Sequence, residues 1–207
     1  IKIKASDVYV ESKVLLDERI IRNYYLKKGY TSSSVYHDVV EKDNGVEVVF
    51  HINEGASTII NEIKITGNTI VSERALKKKL ELKEAGLFKQ GAYQSSTLEM
   101  DKQKIISYYK EKGYADATIL DVLIESTYNE EKQRNELSLT FVIQEGVQYT
   151  FGGLSIKGNE VFSVNELLKQ QKLKAGSVYN EVKFQEDLSA IQSVYFENGY
   201  MSNEYYP

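Results

Sequence analysis

Residues 104–114 read KIISYYKEKGY, and the chain carries nearly the same text twice more: residues 20–30 read IIRNYYLKKGY and residues 190–200 read AIQSVYFENGY. The three Gly-Tyr pairs, Gly29-Tyr30, Gly113-Tyr114 and Gly199-Tyr200, lie 84 and 86 residues apart. A second series runs between them. Glu54-Gly55 and Glu145-Gly146 each close a strand-like run, Gly67-Asn68 and Gly158-Asn159 follow, and the members of each series are 91 residues apart. Self-similarity at a fixed period marks a tandem array of one supersecondary unit.

The middle copy is complete and shows the unit. Residues 59–66 (IINEIKIT) alternate, with Ile59, Ile63 and Ile65 on one parity and Glu62 and Lys64 on the other, the pattern of a half-buried strand. Gly67-Asn68 turns the chain. Ser72 is placed to cap a short helix carrying Leu76 and Leu80, and Gly86 to Gly91 form a loop. Ser96 and Glu99 have capping-box spacing at the start of a second helix, which presents Leu98, Ile105 and Tyr109 to a core and stops at Gly113. Residues 117–128 (ATILDVLIESTY) then read as a strand, and residues 136–144 (ELSLTFVIQ) as a last strand with Leu137, Leu139, Phe141 and Ile143 in phase. The order is β-α-α-β-β.

The flanking copies match in part. The third has a strand at 154–157, the turn Gly158-Asn159, a capping box at Ser163 and Glu166, and a second helix with Leu188, Ile191 and Tyr195. The first begins at residues 1–9 (IKIKASDVY), which align with 80–88 and 171–179, and its final strand has Val46, Val48, Phe50 and Ile52 in phase. The expected organisation is a partial module at 1–55, a complete one at 56–146 and a partial one at 147–207. A half module cannot cover its own sheet, and exposed apolar faces are unfavourable. Its complement is expected outside these residues or in a second molecule, or its end is left loose.

Composition narrows the function. The 207 residues carry a net charge of −4 and a pI near 5.4, which argues against a nucleic-acid surface. No cysteine is present, so no disulfide or thiolate site forms. No apolar run approaches the roughly 18 residues of a membrane-spanning helix. The only proline is Pro207, and no Gly/Ser-rich linker separates the copies.

The β-α-α-β-β order, the Gly-Asn turn, the helix ending Y-x-x-x-G-Y and the closing strand ending in Glu-Gly together resemble the POTRA domain, the polypeptide-transport-associated repeat. In each copy an aspartate stands 13 residues before the final tyrosine: Asp17, Asp101 and Asp187. The resemblance implies an α+β fold of tandem POTRA-like modules, each a three-stranded mixed sheet covered on one face by two helices. Arrays of this kind resemble the periplasmic region of outer-membrane protein assembly factors of the BamA type. That likeness implies unfolded outer-membrane β-barrel proteins as clients, accessory lipoproteins as partners and a C-terminal membrane β-barrel outside this chain. It implies a periplasmic location and no enzymatic activity. Two-partner secretion transporters, translocation-assembly relatives and a non-binding spacer array are the other readings.

In the POTRA family the last strand is central and the strand before it lies at an edge. The resemblance therefore implies client-binding edges at Thr118, Ile119, Leu120, Asp121, Val122, Leu123, Ile124, Glu125 and Ser126, and in the first copy at Val35, Tyr36, His37, Asp38, Val39 and Val40. An edge strand offers unpaired N–H and C=O groups to which a client segment can add as a further strand. Each added hydrogen bond contributes roughly 0.5–1.5 kcal/mol net, against an association cost of roughly 4–15 kcal/mol. One edge therefore binds weakly, and several linked modules supply avidity. The stretch 119–124 (ILDVLI) is apolar on both parities, which reads either as a sticky outer face or as a bulge or packing contact.

Glu54, Gly55, Glu145 and Gly146, with the turns Gly67-Asn68 and Gly158-Asn159, are expected at module junctions, the Glu-Gly pairs setting the angle or meeting a partner. The Gly-Tyr pairs read as a helix stop and a core ring, and the aspartates as capping or loop-bonding groups. His37 and His51 lie on neighbouring strands of the first copy and could meet, but the second copy has no equivalents, so neither a metal site nor a cofactor is expected. No catalytic constellation is present. A KH-type nucleic-acid clamp is disfavoured by the acidic pI and by the wrong glycine spacing in the loop from Gly86 to Gly91.

Overall fold

The computed structural model describes residues 1–87 and 90–202. Phe88 and Lys89, inside the loop expected between Gly86 and Gly91, lie outside the described residues, as do residues 203–207. The element order is α1 (Glu11–Lys27), β1 (Ser34–Lys42), β2 (Gly45–Asn53), β3 (Ser57–Thr66), α2 (Glu73–Lys79), α3 (Ser95–Lys110), β4 (Thr118–Asn129), β5 (Arg134–Gln144), α4 (Val164–Leu168) and α5 (Glu181–Glu197).

The repeated Y-x-x-x-G-Y run is one closure used three times. The N–H of Tyr30, Tyr114 and Tyr200 reaches back to the carbonyl of Tyr25, Tyr109 and Tyr195 at 3.0, 3.1 and 3.0 Å. The intervening Gly29, Gly113 and Gly199 stand at φ +92°, +90° and +88°, the left-handed region where a side chain is strained. The two tyrosines of each run then meet edge to face, with ring centroids 5.7, 6.1 and 6.3 Å apart.

In the middle module β5 is central, with β3 parallel on one side and β4 antiparallel on the other. The inward parity of β5, Leu137, Leu139, Phe141 and Ile143, is buried against Ile60, Ile63 and Ile65 of β3 and Leu76, Leu98, Ile105 and Tyr109 of the helices. Fully burying one such side chain contributes about 1.5–3 kcal/mol, so this cluster forms the stable centre of the chain. The Ser72 hydroxyl caps α2 as its position predicts. The capping box expected at Ser96 and Glu99 does not form. The cap position is Gln94, two residues earlier, which leaves Ser96 inside the first turn of α3, and Glu99 bonds Lys102 instead. The box at Ser163 and Glu166 does form, with both reciprocal bonds at the start of α4.

The first module has α1 over a two-stranded antiparallel sheet of β1 and β2. The third has α4 and α5, but the strand expected at 154–157 pairs with no strand among the described residues. In the middle module that strand pairs in parallel with β5, and the third copy offers no counterpart of β5 among the described residues.

The aligned aspartates are the deepest polar feature. Asp17, Asp101 and Asp187 are 0%, 0% and 1% exposed. Each carboxylate accepts from two successive backbone N–H groups of the segment before its helix. Asp101 takes Glu81 and Leu82 at 2.7 and 2.8 Å, and Asp187 takes Lys172 and Leu173, both at 2.9 Å. Asp17 takes Lys2 at 2.6 Å and Ile3 at 2.9 Å. Burial pushes the Asp17 carboxyl up, and these amide bonds outweigh it, so the group is held below the ordinary carboxylate value.

Asp101→Ala strands two N–H donors and should lower stability by roughly 2–4 kcal/mol. Asp101→Asn keeps one acceptor and should lose less. Urea unfolding of the two variants beside the parent measures both, and equal losses would mean that the carboxylate does not act through its amide bonds.

Candidate functional site

The two edges of the middle sheet differ. The outer side of β3 is covered by the loop after α2. Ile60 N–H donates to Gly91 O and Ala85 N–H to Ile60 O, both at 2.7 Å, and Tyr93 N–H donates to Thr58 O at 3.3 Å. The Glu84 carboxylate accepts from Ile63 N–H at 2.9 Å. β4 pairs with β5 along one side only, and its other side meets no strand among the described residues. The exposed backbone edge of this module is therefore the twelve-residue β4.

Within β4 the register slips between Ile119, opposite Ile143, and Asp121, opposite Val142, so Leu120 is an extra bulge residue. The bulge explains the apolar run on both parities. Ile119 before it and Val122 after it both turn to the core, though three residues apart. Leu120, Leu123 and Ile124 stay exposed at 61%, 49% and 45%. Thr118, Asp121, Glu125 and Ser126 are also exposed.

β1 is the corresponding edge in the first module. Tyr36, Val39 and Val40 are exposed and Val35 is buried. His37 and His51 do not meet, because His37 lies opposite Phe50 and His51 opposite Tyr36, which puts them on opposite faces of the sheet. His37 binds Glu18 of α1 at 2.7 Å, and His51 binds Asp38 at 2.9 Å while stacking on Tyr36. Among the described residues no group of three or more His, Cys, Asp or Glu could hold a metal ion.

The Glu-Gly and Gly-Asn positions come together inside one module. Glu145 is 7% exposed, and its carboxylate gathers the N–H groups of Thr69, Ile70 and Val71, the Thr69 hydroxyl and the Tyr109 hydroxyl, at 2.6–3.3 Å. Burial pushes this carboxyl up, but the Thr69 and Tyr109 hydroxyls and the amides outweigh it, leaving the group at about 2. Burial and the bond to Glu145 push the Tyr109 phenol well above its ordinary value. Asn68 closes the turn onto Val71 O at 2.8 Å, and Asn159 does the same onto Phe162 O. Gly67 at φ +79° passes so close to β5 that a Cβ there would sit 2.0 Å from Ile143 O. Tyr25 OH to Glu54, at 2.8 Å, repeats the Tyr109–Glu145 pair in the first module. Gly55 and Gly146 are left-handed residues whose nearest neighbours are Ser32 and Asp116 of their own modules. Gly158 follows the unpaired segment and has open space around it.

The contacts between modules fall elsewhere. Thr58 N–H donates to Gly29 O at 2.7 Å, and Tyr149 N–H donates to Gly113 O at 2.8 Å. A Cβ on Gly29 would lie 2.7 Å from Thr58 O, and one on Gly113 2.7 Å from Val178 Cγ1. The helix-stopping glycine is thus also the docking point of the next module. Helix termination alone already demands glycine, so nothing in the sequence marked this second duty. Between modules two and three, Lys110 bonds Glu181, Gln148 bonds Lys112 O and Asn180 bonds Glu111 O.

Two outcomes check this geometry. Gly113→Ala should speed amide hydrogen exchange at Tyr149 by more than about tenfold, since local opening exposes that bond, and unchanged exchange would show that the close contact is relieved elsewhere. The ionised Glu145 clasp is fully stabilising above the free-glutamate value of 4.5 and is lost as pH falls from there through about 2. Glu145→Gln should therefore be clearly less stable than the parent at neutral pH, with the gap closing as urea unfolding is repeated down through that window.

Comparison with known proteins is consistent with this architecture. The family model POTRA, described as surface antigen variable number repeat, matches residues 1–55, 58–146 and 149–205. A putative outer membrane protein assembly factor of Treponema pallidum is 37% identical over 203 residues, covering 98% of this chain and 24% of that protein. Outer membrane protein assembly factor BamA of Neisseria meningitidis is 29% identical over 191 residues, covering 89% of this chain and 23% of its own. The chain thus spans about a quarter of the length of these relatives. The crystal structure of Haemophilus influenzae BamA POTRA3-5 shares the fold at a TM-score of 0.50 and 24% identity, over 88% of this chain and 70% of that one. No described helix is long and apolar enough to cross a membrane. With the family model matching nearly the whole length in three consecutive segments, the chain belongs to the POTRA family.

Proposed function

We propose that this chain is the periplasmic POTRA region of an outer-membrane protein assembly factor and that it receives unfolded β-barrel clients by strand addition. It lies on the near side of a membrane barrel that follows in sequence, and accessory lipoproteins dock on the same array. The observation that carries the reading is the asymmetry of the middle sheet: β3 is covered by its loop, while β4 keeps an open backbone edge with Leu120, Leu123 and Ile124 exposed along it. Backbone pairing is indifferent to client sequence, which suits a receptor for many proteins, and the exposed apolar side chains add affinity without selecting one partner. Each added backbone bond contributes little net energy and the association cost is large, so each contact is weak and reversible. β1, with Tyr36, Val39 and Val40 exposed, gives a second weak edge for avidity. The role is binding, with no catalytic step.

Site-specific photo-crosslinking in cells of the full-length protein tests this. Probes replace Thr118, Leu120, Leu123 and Glu125, with controls at Ser96 and Lys102 on α3. Crosslinks to several nascent barrel proteins from β4 and not from α3 are expected, and Leu123→Lys with Ile124→Lys should weaken them. Crosslinks to one constant partner would make β4 a docking edge for an accessory subunit. No β4 crosslinks at all would overturn strand addition and leave a spacer array.

A further inference from the structure

Between modules two and three lies an open cleft of about 490 Å³ that strand addition does not use. Its apolar lining includes Ile70, from the turn before α2, and Val178, from the segment before α5. Both side chains remain largely in water, at 57% and 46% exposed. Tyr108 of α3 and Tyr114 add aromatic surface. Two cations converge on the same ring: Lys79 Nζ stands 4.5 Å and Lys112 Nζ 5.0 Å from the Tyr108 centroid.

Several nearby lysines are neutralised by ion pairs, and among the described residues these two are not. Lys77, Lys104 and Lys110 each have carboxylate partners. Among the described residues Lys79 and Lys112 have none, and meet only the ring. Lys112 lines the cleft and Lys79 stands over its Tyr108 wall, so two cations without carboxylate partners among the described residues border the exposed apolar side chains. A cation over an aromatic face stays available to a carboxylate, because the ring quadrupole does not neutralise it.

We propose that this cleft docks an acidic peptide segment of a partner protein, in which a large apolar side chain is flanked by carboxylates. The apolar side chain packs on Ile70, Val178 and Tyr108, and the carboxylates reach Lys79 and Lys112. Charge complementarity selects this partner over a basic or neutral one, and the apolar walls disfavour a free inorganic anion. The lining comes from both modules, so an occupant touches the turn before α2 and the segment before α5 together. It therefore binds the docked arrangement of the two modules in preference to a separated one. The cleft contains no β4 residue, so the site stands or falls independently of strand addition.

The test is an NMR titration of the 15N-labelled 207-residue chain. The probe is the peptide acetyl-Glu-Asp-Phe-Glu-Phe-Asp-Glu-amide, and the control replaces every acidic residue with lysine. The expected result is saturable amide shifts at Ile70, Val71, Gln148 and Val178 with the acidic peptide, at least tenfold weaker with the basic one. Lys79→Glu with Lys112→Glu should abolish saturation. Both lysines are exposed, so the variant should keep the parent's thermal midpoint. Ile70→Ser should weaken binding while leaving its preference for acidic peptide intact. Equal binding of the two peptides, shifts confined to β4, or no saturating shift at millimolar peptide would each overturn the proposal. Concentration-dependent shifts of the same amides without peptide would assign the cleft to a second copy of this chain and overturn it equally.

Discussion

Buried carboxylates that hold successive backbone amides organise every module. A charged group taken from water is tolerated only where hydrogen bonds replace the solvent it lost. Asp17, Asp101 and Asp187 meet that condition only when the segment ahead of the second helix presents two N–H groups together. Glu145 meets it only when the turn from Thr69 to Val71 and the Tyr109 hydroxyl converge. A register slip in either segment would strand a charge in the core. The apolar cluster around β5 supplies much of the stabilisation, and the carboxylates restrict that cluster to one arrangement.

The unit and its repetition were legible in the sequence because they rest on local chemistry. Alternation in residues 136–144, glycine at helix ends and serine at helix starts act within a few residues, and a single chain displays them, whereas in residues 59–66 a register shift after Ile60 puts Ile60 instead of Ile59 in the core cluster with Ile63 and Ile65. The capping box at Ser96 failed for the same local reason: the motif has the right spacing, but the helix begins one residue before it. Partnerships across the fold were harder to read. That Glu145 meets Thr69 depends on a parallel pairing of β3 with β5 that no local pattern specifies. The bulge at Leu120 could be named as one of two explanations for an apolar run, and the ladder with β5 was needed to choose it.

The flanking copies show the same dependence from the other side. In the middle copy Leu137, Leu139 and Phe141 are buried because β3 and α2 lie against them. Their counterparts in the first copy, Val46, Val48 and Phe50, have identical phase, yet Val46 is 42% exposed and the others are only half-buried. The third copy has a residue pattern suited to a strand at 154–157 but, among the described residues, no ladder for it to join. Strand character in this family is a property of the pair.

The carbonyls of Gly29 and Gly113 each end one helix and accept the first hydrogen bond of the following module. One atom thus closes a helix in one unit and opens the neighbouring unit. In a chain that arrives N-terminus first, each finished module waits with its docking carbonyl open to the unit that follows. Each arrival then secures the module before it, so order passes along the array from the N-terminus to the C-terminus. Because the coupling among the described residues runs between nearest neighbours, damage to one unit is felt by the units beside it and fades beyond them.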